Sequence, residues 1–180
     1  MDLLKALDEL ARHLPIIFPV HPRVKPHVLS RGNLVWPRLD SGESVPTKGL
    51  TCLDPLGYLD FIALMSRARL VLTDSGGIQE ETTILGVPCL TLRETTERPV
   101  TVTHGTNRVI GTDAGRILNE ALWTLDQPPR PIGSPPLWDG QAAARVVKIL
   151  LDQNRRVDTG QRIGRGCAIT SRVYGQLTDE

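Results

Sequence analysis

Short apolar runs alternate with amphipathic segments along this chain, and that alternation limits the possible folds more than any other feature of the sequence. The runs predicted to form strands are residues 15–20, 49–55, 69–75, 87–93 and 107–111. The segments between them space their apolar residues as helices do. Strands that alternate with helices favour a parallel sheet, and uninterrupted apolar runs fit strands buried on both faces. The sequence therefore predicts an α/β fold, a Rossmann-like parallel sheet of at least five strands with helices on both faces.

Capping residues predict where several helices begin and end. Asp54, followed by a proline, indicates a helix that begins there and runs to about residue 68. Gly86 is expected to end a helix over residues 77–85, because glycine readily adopts the left-handed conformation found at helix ends. The last two helices are predicted to be capped by Asp113 and Asp139.

The chain is expected to form a single lobe followed by a tail. Residues 1–154 carry the strand and helix signals, with a proline-rich linker at 128–136 before the last helix. The apolar periodicity stops near residue 155, so residues 155–180 are predicted to form a loosely ordered tail. The alternation opens with a helix over residues 2–14 that no strand precedes, from which we expect that the chain begins inside a larger fold.

Charge and composition exclude several classes of function. Lys and Arg number 21 against 20 Asp and Glu, so the chain lacks the basic excess that general binding to nucleic acid requires. The three cysteines lie far apart without a CxxC pair, which argues against a disulfide framework or a structural zinc site. No apolar run is long enough to cross a membrane, and the first helix lacks the features of a signal peptide. We therefore expect a cytoplasmic protein without a metal site.

The junction LVLTDSGGIQEE, residues 70–81, is the strongest candidate site. Ligands of open α/β sheets bind at the carboxyl ends of strands, and here a strand ends, two glycines follow and a helix begins. Ser75 offers a hydroxyl, and Gly76 and Gly77 offer amides at the positive end of a helix, which suits a diphosphate. Glu81, one turn into the helix, is placed to accept hydrogen bonds from two ribose hydroxyls. The alternative is a plain strand-to-helix turn in which Ser75 is only the N-cap.

The loop RETTERPVT, residues 93–101, follows the next strand and is expected to lie beside the first candidate site. Its charges, its threonines and a turn stiffened by proline are typical of a polar binding loop. Arg98 is suited to a bidentate contact with a phosphate group. The alternative interpretation is a solvated charged loop that binds nothing.

Several motifs of this chain occur together in one known family. DSGGIQEE, GVPCLTLRETTERP and GTNRVIG, at residues 74–81, 86–99 and 105–111, resemble the C-terminal half of the non-hydrolysing UDP-N-acetylglucosamine 2-epimerases. The upstream PVHPR and DPLGYLDFIALMSRARLVLTDSGG and the downstream WDGQAAARVVKIL resemble the same family. The resemblance spans roughly residues 1–151 and is specific, because the SGGxxxE box and the TTERP loop stand at the family's spacing.

The resemblance implies the C-terminal lobe of a two-lobe fold of the glycosyltransferase-B kind that closes on a UDP-sugar. The implied reaction interconverts UDP-GlcNAc and UDP-ManNAc by elimination of UDP to a 2-acetamidoglucal and re-addition, without a cofactor, in the usual form of a homodimer. The substrate-binding residues carried over are Ser75, Gly76, Gly77, Glu81, Arg98 and Phe61, the last near the nucleotide base. Leu56 stands where the family has a polar contact, a departure in the base pocket.

The resemblance also implies that the acid and base carboxylates belong to an N-terminal lobe, which we do not find in this sequence. We therefore expect the isolated chain to be inactive without that lobe, which could be encoded separately. Two other interpretations stay open: the donor-binding lobe of a glycosyltransferase of the same fold, and a non-catalytic module that binds UDP-sugars.

Overall fold

The computed structural model describes residues 3–30, 36, 48–128 and 135–158. Helices and strands alternate through most of this range. Their order is α1 (Leu3–Leu10), β1 (Ile16–Pro19), α2 (Lys25–Leu29), β2 (Leu50–Leu53), α3 (Tyr58–Ser66), β3 (Val71–Thr73), α4 (Gly76–Leu85), β4 (Cys89–Thr91), α5 (Pro99–Thr103), β5 (Asn107–Val109), α6 (Ala114–Asp126) and α7 (Ala142–Asp158). Every predicted strand is found within its predicted range.

All of the strand pairs in the described residues are parallel, which confirms the predicted α/β class. The strands form two hydrogen-bonded sheets rather than one, a two-stranded sheet of order β1-β2 and a three-stranded sheet of order β3-β4-β5. Ile16 of β1 and Leu72 of β3 pack against the same apolar cluster, so both sheets cover one core. The structure thus differs from a single five-stranded sheet in its backbone hydrogen bonds, although both sheets pack on the same core.

Helices cover both faces of the β3-β4-β5 sheet, as predicted. Leu90 of β4 lies in a buried cluster with residues of α1 and α6, among them Leu10 and Ile117. Successive side chains of a strand point to opposite faces. Cys89 therefore points to the other face, where α4 packs against β4. Helices α1 and α6 thus lie on one side of this sheet and α4 on the other.

Helix α3 begins later than the sequence predicts. The expected N-cap was Asp54, but the helix begins at Tyr58 and its N-cap is Gly57, with extended backbone angles. The Asp54 carboxylate instead accepts a hydrogen bond from Lys25 Nζ, which comes from α2. Lys25 is 29 residues away from Asp54 in sequence, so helix rules that consider only near neighbours cannot predict this pairing.

The other helix ends follow their capping residues more closely. Gly86 ends α4 in the left-handed conformation, with φ of 71°, as predicted. The Asp113 carboxylate caps α6 by accepting a hydrogen bond from the Arg116 N–H at 2.8 Å.

The polar loop over 93–101 was not expected to contain a helix, yet it leads into the short α5, which has Pro99 in its first turn. Proline suits that place because its φ is already helical and its missing N–H has no helical partner there.

A second compact unit begins within the predicted proline-rich linker. The chain divides into residues 1–135 and 136–180. In the second unit Asp139 accepts a hydrogen bond from the Gln141 N–H just before α7 and pairs with Arg145, which lowers the pKa of its carboxyl to about 2. Helix α7 continues to Asp158, and the remainder of the predicted tail, residues 159–180, lies outside the described residues.

None of the helices in the described part of the chain is long and apolar enough to cross a membrane.

Candidate functional site

The turn between β3 and α4 presents Ser75 and two glycines at the start of a ten-residue helix. Ser75 occupies the N-cap position with φ of −86° and ψ of 127°, but its side chain makes no capping hydrogen bond. The turn is held instead through the backbone, where the Ser75 N–H donates to Thr73 Oγ1 at 3.1 Å. Ser75 and Gly77 are exposed. Because the Ser75 hydroxyl makes no hydrogen bond to the helix, the ligand interpretation of this turn is favoured over that of a side-chain N-cap.

The second candidate segment lies directly against this turn. A Cβ atom built on Gly76 would come within 2.8 Å of Glu97 Oε1 and 3.7 Å of Arg98 Cγ. The glycine thus allows the loop after β4 to approach the backbone of the helix start. The structure brings together two segments that are about 20 residues apart in sequence, because both follow the carboxyl ends of neighbouring parallel strands.

Two ion pairs organise the charges at this contact. Arg98 Nε lies 3.0 Å from Glu80 Oε1, and Arg93 Nη1 lies 2.9 Å from Glu97 Oε2. The pKa of the Glu97 carboxyl is lowered, first by a hydrogen bond from its own backbone N–H and further by Arg93 and Arg98. Arg98 Nε is buried and has no well-aligned hydrogen-bond acceptor among the described residues, so it meets Glu80 as an ion pair without good hydrogen-bond geometry. An anionic ligand could compete with Glu80 for the Arg98 guanidinium.

Glu81 and Phe61 lie on the two helices that border the turn. Glu81 stands four residues after Gly77, on the same side of α4, and it is half-buried. Its carboxylate has no hydrogen bond or ion pair within the part of the chain that the structure describes. Phe61 is half-buried in the first turns of α3, a helix that packs against α4. Glu81 thus lies one helical turn from Gly77, and Phe61 lies on a helix that packs against α4.

A buried polar layer beneath the loop was not predicted from the sequence. We define it as Gln79, Thr91, Thr96, Thr101 and Asn107. Gln79 Oε1 accepts hydrogen bonds from Thr96 Oγ1 at 2.6 Å and from Asn107 Nδ2 at 3.1 Å. Thr91 Oγ1 donates to Asn107 Oδ1 at 2.6 Å. All of these residues except Thr96 are buried. The signal that could have found the layer is the presence of polar side chains at inward-facing positions of β4, β5 and α4.

The sequence model of one protein family, described as UDP-N-acetylglucosamine 2-epimerase, matches residues 1–151. That range includes both candidate segments and the whole polar layer. The chain belongs to the UDP-N-acetylglucosamine 2-epimerase family.

Individual members of the family match over the same part of the chain. A UDP-N-acetylglucosamine 2-epimerase of Salmonella typhimurium is 38% identical over 158 residues, which are 81% of this chain and 38% of that protein. One from Methanocaldococcus jannaschii is 40% identical over 135 residues, which are 75% of this chain and 34% of that protein. The chain thus spans about two fifths or less of the length of these epimerases.

Solved epimerase structures share the fold. The M. jannaschii UDP-GlcNAc 2-epimerase in complex with UDP-GlcNAc and UDP superposes with a TM-score of 0.65 at 34% identity, and the match covers 83% of this chain and 39% of the other. The Neisseria meningitidis enzyme bound to UDP-GlcNAc gives a TM-score of 0.56 at 29% identity, covering 82% of this chain and 40% of the other. The predicted Rossmann-like lobe of a two-lobe epimerase fold is confirmed by these likenesses.

Proposed function

We propose that this chain is the nucleotide-binding lobe of a UDP-N-acetylglucosamine 2-epimerase that interconverts UDP-GlcNAc and UDP-ManNAc. The observation that carries the proposal is the closeness of the Arg98 side chain to Gly76 in the Ser75–Gly77 turn, at the carboxyl ends of two parallel strands, in a chain of this family. A helix start with free N–H groups and an adjacent guanidinium make a site for a doubly charged diphosphate.

The diphosphate is assigned to the Gly76 and Gly77 amides, the Ser75 hydroxyl and the Arg98 guanidinium. Gly76 supports this assignment because a side chain at that position would fill the space between the helix start and the loop. When UDP departs during elimination, negative charge grows on the diphosphate, and donors already in place stabilise that charge without reorganising. The lobe would therefore assist the leaving group.

The nucleoside is assigned to Glu81 and Phe61. The unpaired carboxylate of Glu81 is one helical turn from the proposed diphosphate position, a distance that suits the ribose hydroxyls. Phe61, on the helix packed beside α4, is assigned to the region of the base. These two residues would give the site its preference for a nucleoside diphosphate over inorganic pyrophosphate.

The proton transfers at C2 of the sugar are assigned to a second lobe, either in the same polypeptide or in a partner chain. The carboxylates nearest the proposed diphosphate, Glu80 and Glu97, are each paired with an arginine. The lowered pKa of Glu97 makes it a weaker base than a general base of matched pKa, and the Glu80 carboxylate already pairs with the Arg98 guanidinium, so neither is suited to abstract the C2 proton. Epimerisation would thus require groups beyond this lobe.

Binding of UDP tests the proposal, and calorimetry is the direct measurement. We expect weak binding of UDP by the chain alone, because no second lobe closes over the ligand. Glu81→Ala is expected to weaken UDP about 10- to 100-fold, the cost of losing hydrogen bonds to a charged group, and to leave pyrophosphate unchanged. Glu9→Ala is the matched control, since Glu9 is on α1, across the sheet from α4, and pairs only with the exposed Arg12. Equal losses for UDP and pyrophosphate would remove the ribose assignment.

Turnover is tested separately by proton NMR of UDP-GlcNAc mixed with the purified chain. We expect no detectable UDP-ManNAc, since losing a general acid or base typically costs about 100- to 10,000-fold. Addition of a separately expressed N-terminal lobe from a family member should restore activity. Turnover by the chain alone would show that a residue of this lobe transfers the proton.

A further inference from the structure

A closed ring of hydrogen bonds holds both backbone polar groups of Arg98. The Arg98 N–H donates to Thr96 Oγ1 at 3.0 Å, and that hydroxyl donates to Gln79 Oε1 at 2.6 Å. Gln79 Oε1 also accepts from Asn107 Nδ2 at 3.1 Å, and Asn107 Nδ2 donates at 3.0 Å to Thr101 Oγ1. Thr101 Oγ1 completes the ring by donating to the Arg98 carbonyl oxygen at 2.7 Å.

The donors and acceptors of this ring match without conflict. Each threonine hydroxyl donates once and accepts once, and Asn107 Nδ2 uses both of its hydrogens. The direction of every bond is therefore determined, including the orientation of the Gln79 and Asn107 amides. Gln79, Thr101 and Asn107 are buried, and in a medium of low dielectric constant such chains of hydrogen bonds strengthen one another and resist distortion.

We propose that the ring of Thr96, Gln79, Asn107 and Thr101 is the positioning device for Arg98, holding its backbone so that the guanidinium faces the Ser75–Gly77 turn. The proposal rests on the function proposed above, in which Arg98 contacts the diphosphate. Gln79 lies in α4, the helix whose start binds the diphosphate, so one helix sets the position of both the amides and the arginine. The Arg98 side chain pairs with Glu80 without a well-aligned hydrogen bond from Nε, so this ion pair does not by itself fix its position.

Stability alone does not explain the ring. Replacing both partners of a buried hydrogen bond by apolar groups of the same shape is often neutral, so an apolar layer would serve the core equally well. The ring even leaves Gln79 Nε2 buried without a hydrogen-bond partner in the described part of the chain, which costs free energy. What the ring provides is a fixed position for Arg98. When a binding residue is already in position, the protein avoids the entropic cost of ordering a loop around the ligand.

A matched pair of substitutions at Thr96 tests the ring. Thr96→Val removes the hydroxyl but preserves the shape, and Thr96→Ser preserves the hydroxyl. Thr96 is half-buried, so both variants should fold, and thermal melting checks that they do. We expect Thr96→Val to weaken UDP and pyrophosphate equally, by about tenfold, and Thr96→Ser to bind both as the wild type does. Exchange of the Arg98 amide hydrogen should accelerate in Thr96→Val only.

A double-mutant cycle with Arg98→Ala separates positioning from general support of the fold. If the ring acts through Arg98, Thr96→Val should cause no further loss of UDP affinity once the guanidinium is absent. Gln79→Met, which removes the shared acceptor, should behave as Thr96→Val does.

A loss that persists in the Arg98→Ala background, or UDP affinity and amide exchange unchanged in Thr96→Val, would overturn the positioning role while leaving the proposed function intact. A wild-type chain that binds neither UDP nor pyrophosphate would instead overturn the proposed function, and the positioning role with it.

Discussion

Two glycines beside the candidate site meet their neighbours at distances that a side chain would not tolerate, yet the neighbours differ in kind. A Cβ on Gly76 would lie 2.8 Å from Glu97 Oε1, the end of an exposed and flexible side chain. A Cβ on Gly105 would lie 2.6 Å from the backbone carbonyl oxygen of Thr101 and would also clash with the side chain of Thr83. The Glu97 side chain can rotate away from Gly76, but the Thr101 carbonyl oxygen beside Gly105 is part of the backbone and cannot.

The contrast separates the surface of the site from its support. At Gly76 the absence of a side chain leaves room beside helix amides, which the exposed side chains of Glu97 and Arg98 approach. At Gly105 the same absence lets the start of β5 pack against α4 and α5, the elements that contribute Gln79, Thr101 and Asn107 to the polar layer. We infer that Gly76 serves binding and Gly105 serves folding, and substitutions can test that division.

The largest effect is expected for Gly105→Ala. The new methyl group would press on a backbone carbonyl and on a buried threonine, and overpacking of this kind costs about 1–3 kcal/mol or more. Urea denaturation should show a loss of stability near the upper end of that range, or failure to fold. Gly57→Ala is the matched control, because its nearest neighbour would be Asp60 Oδ2 at an ordinary 3.5 Å. A Gly105→Ala protein as stable as the control would contradict the division.

A smaller effect, and on binding rather than folding, is expected for Gly76→Ala. Glu97 can rotate away, and the better helix propensity of alanine offsets part of the cost of moving it, so stability should change little. The methyl group would nonetheless occupy the space assigned to the diphosphate, and we expect UDP to bind at least about tenfold more weakly by calorimetry. Unchanged UDP affinity would remove Gly76 from the site, and a stability loss like that of Gly105→Ala would erase the contrast between the two glycines.

The smallest effect is expected on the free energy of unfolding at high pH, through the buried thiol of Cys89. Cys89 lies on the same face of β4 as Thr91, and burial raises the pKa of its thiol from 9.0 to about 11. The folded state therefore keeps the proton longer than the unfolded state, so this contribution is complete below pH 9 and is lost as pH rises towards 11.

We expect the free energy of unfolding to fall by about 1 kcal/mol between pH 8 and pH 10 on account of this thiol. Comparison with Cys89→Ala isolates its share from that of other groups, because the variant lacks the titrating thiol. Identical pH profiles for the two proteins would show that the Cys89 thiol is not shielded from water in the folded state.

Much of the fold and the outline of the site followed from local patterns. The apolar runs placed every strand of the described residues, Gly86 and Asp113 marked helix ends, and the glycines after β3 indicated the edge of the candidate site. These features depend on residues that are close in sequence, such as a capping carboxylate and an N–H three residues later. Because parallel strands align their carboxyl ends, even the proximity of the turn to the loop of Arg98 could be predicted.

Only the tertiary structure decided which groups hold the site in place. Asp54 pairs with Lys25 instead of capping α3, and the ring around Arg98 joins Gln79 to Asn107 across 28 residues. Such hydrogen bonds are chosen by competition among partners that meet only after folding. The sequence by itself therefore determined the order of the elements and the edge that carries the site, whereas packing determined which polar side chains were buried and paired, because the cost of an unpaired buried group is felt only where the chain has closed around it.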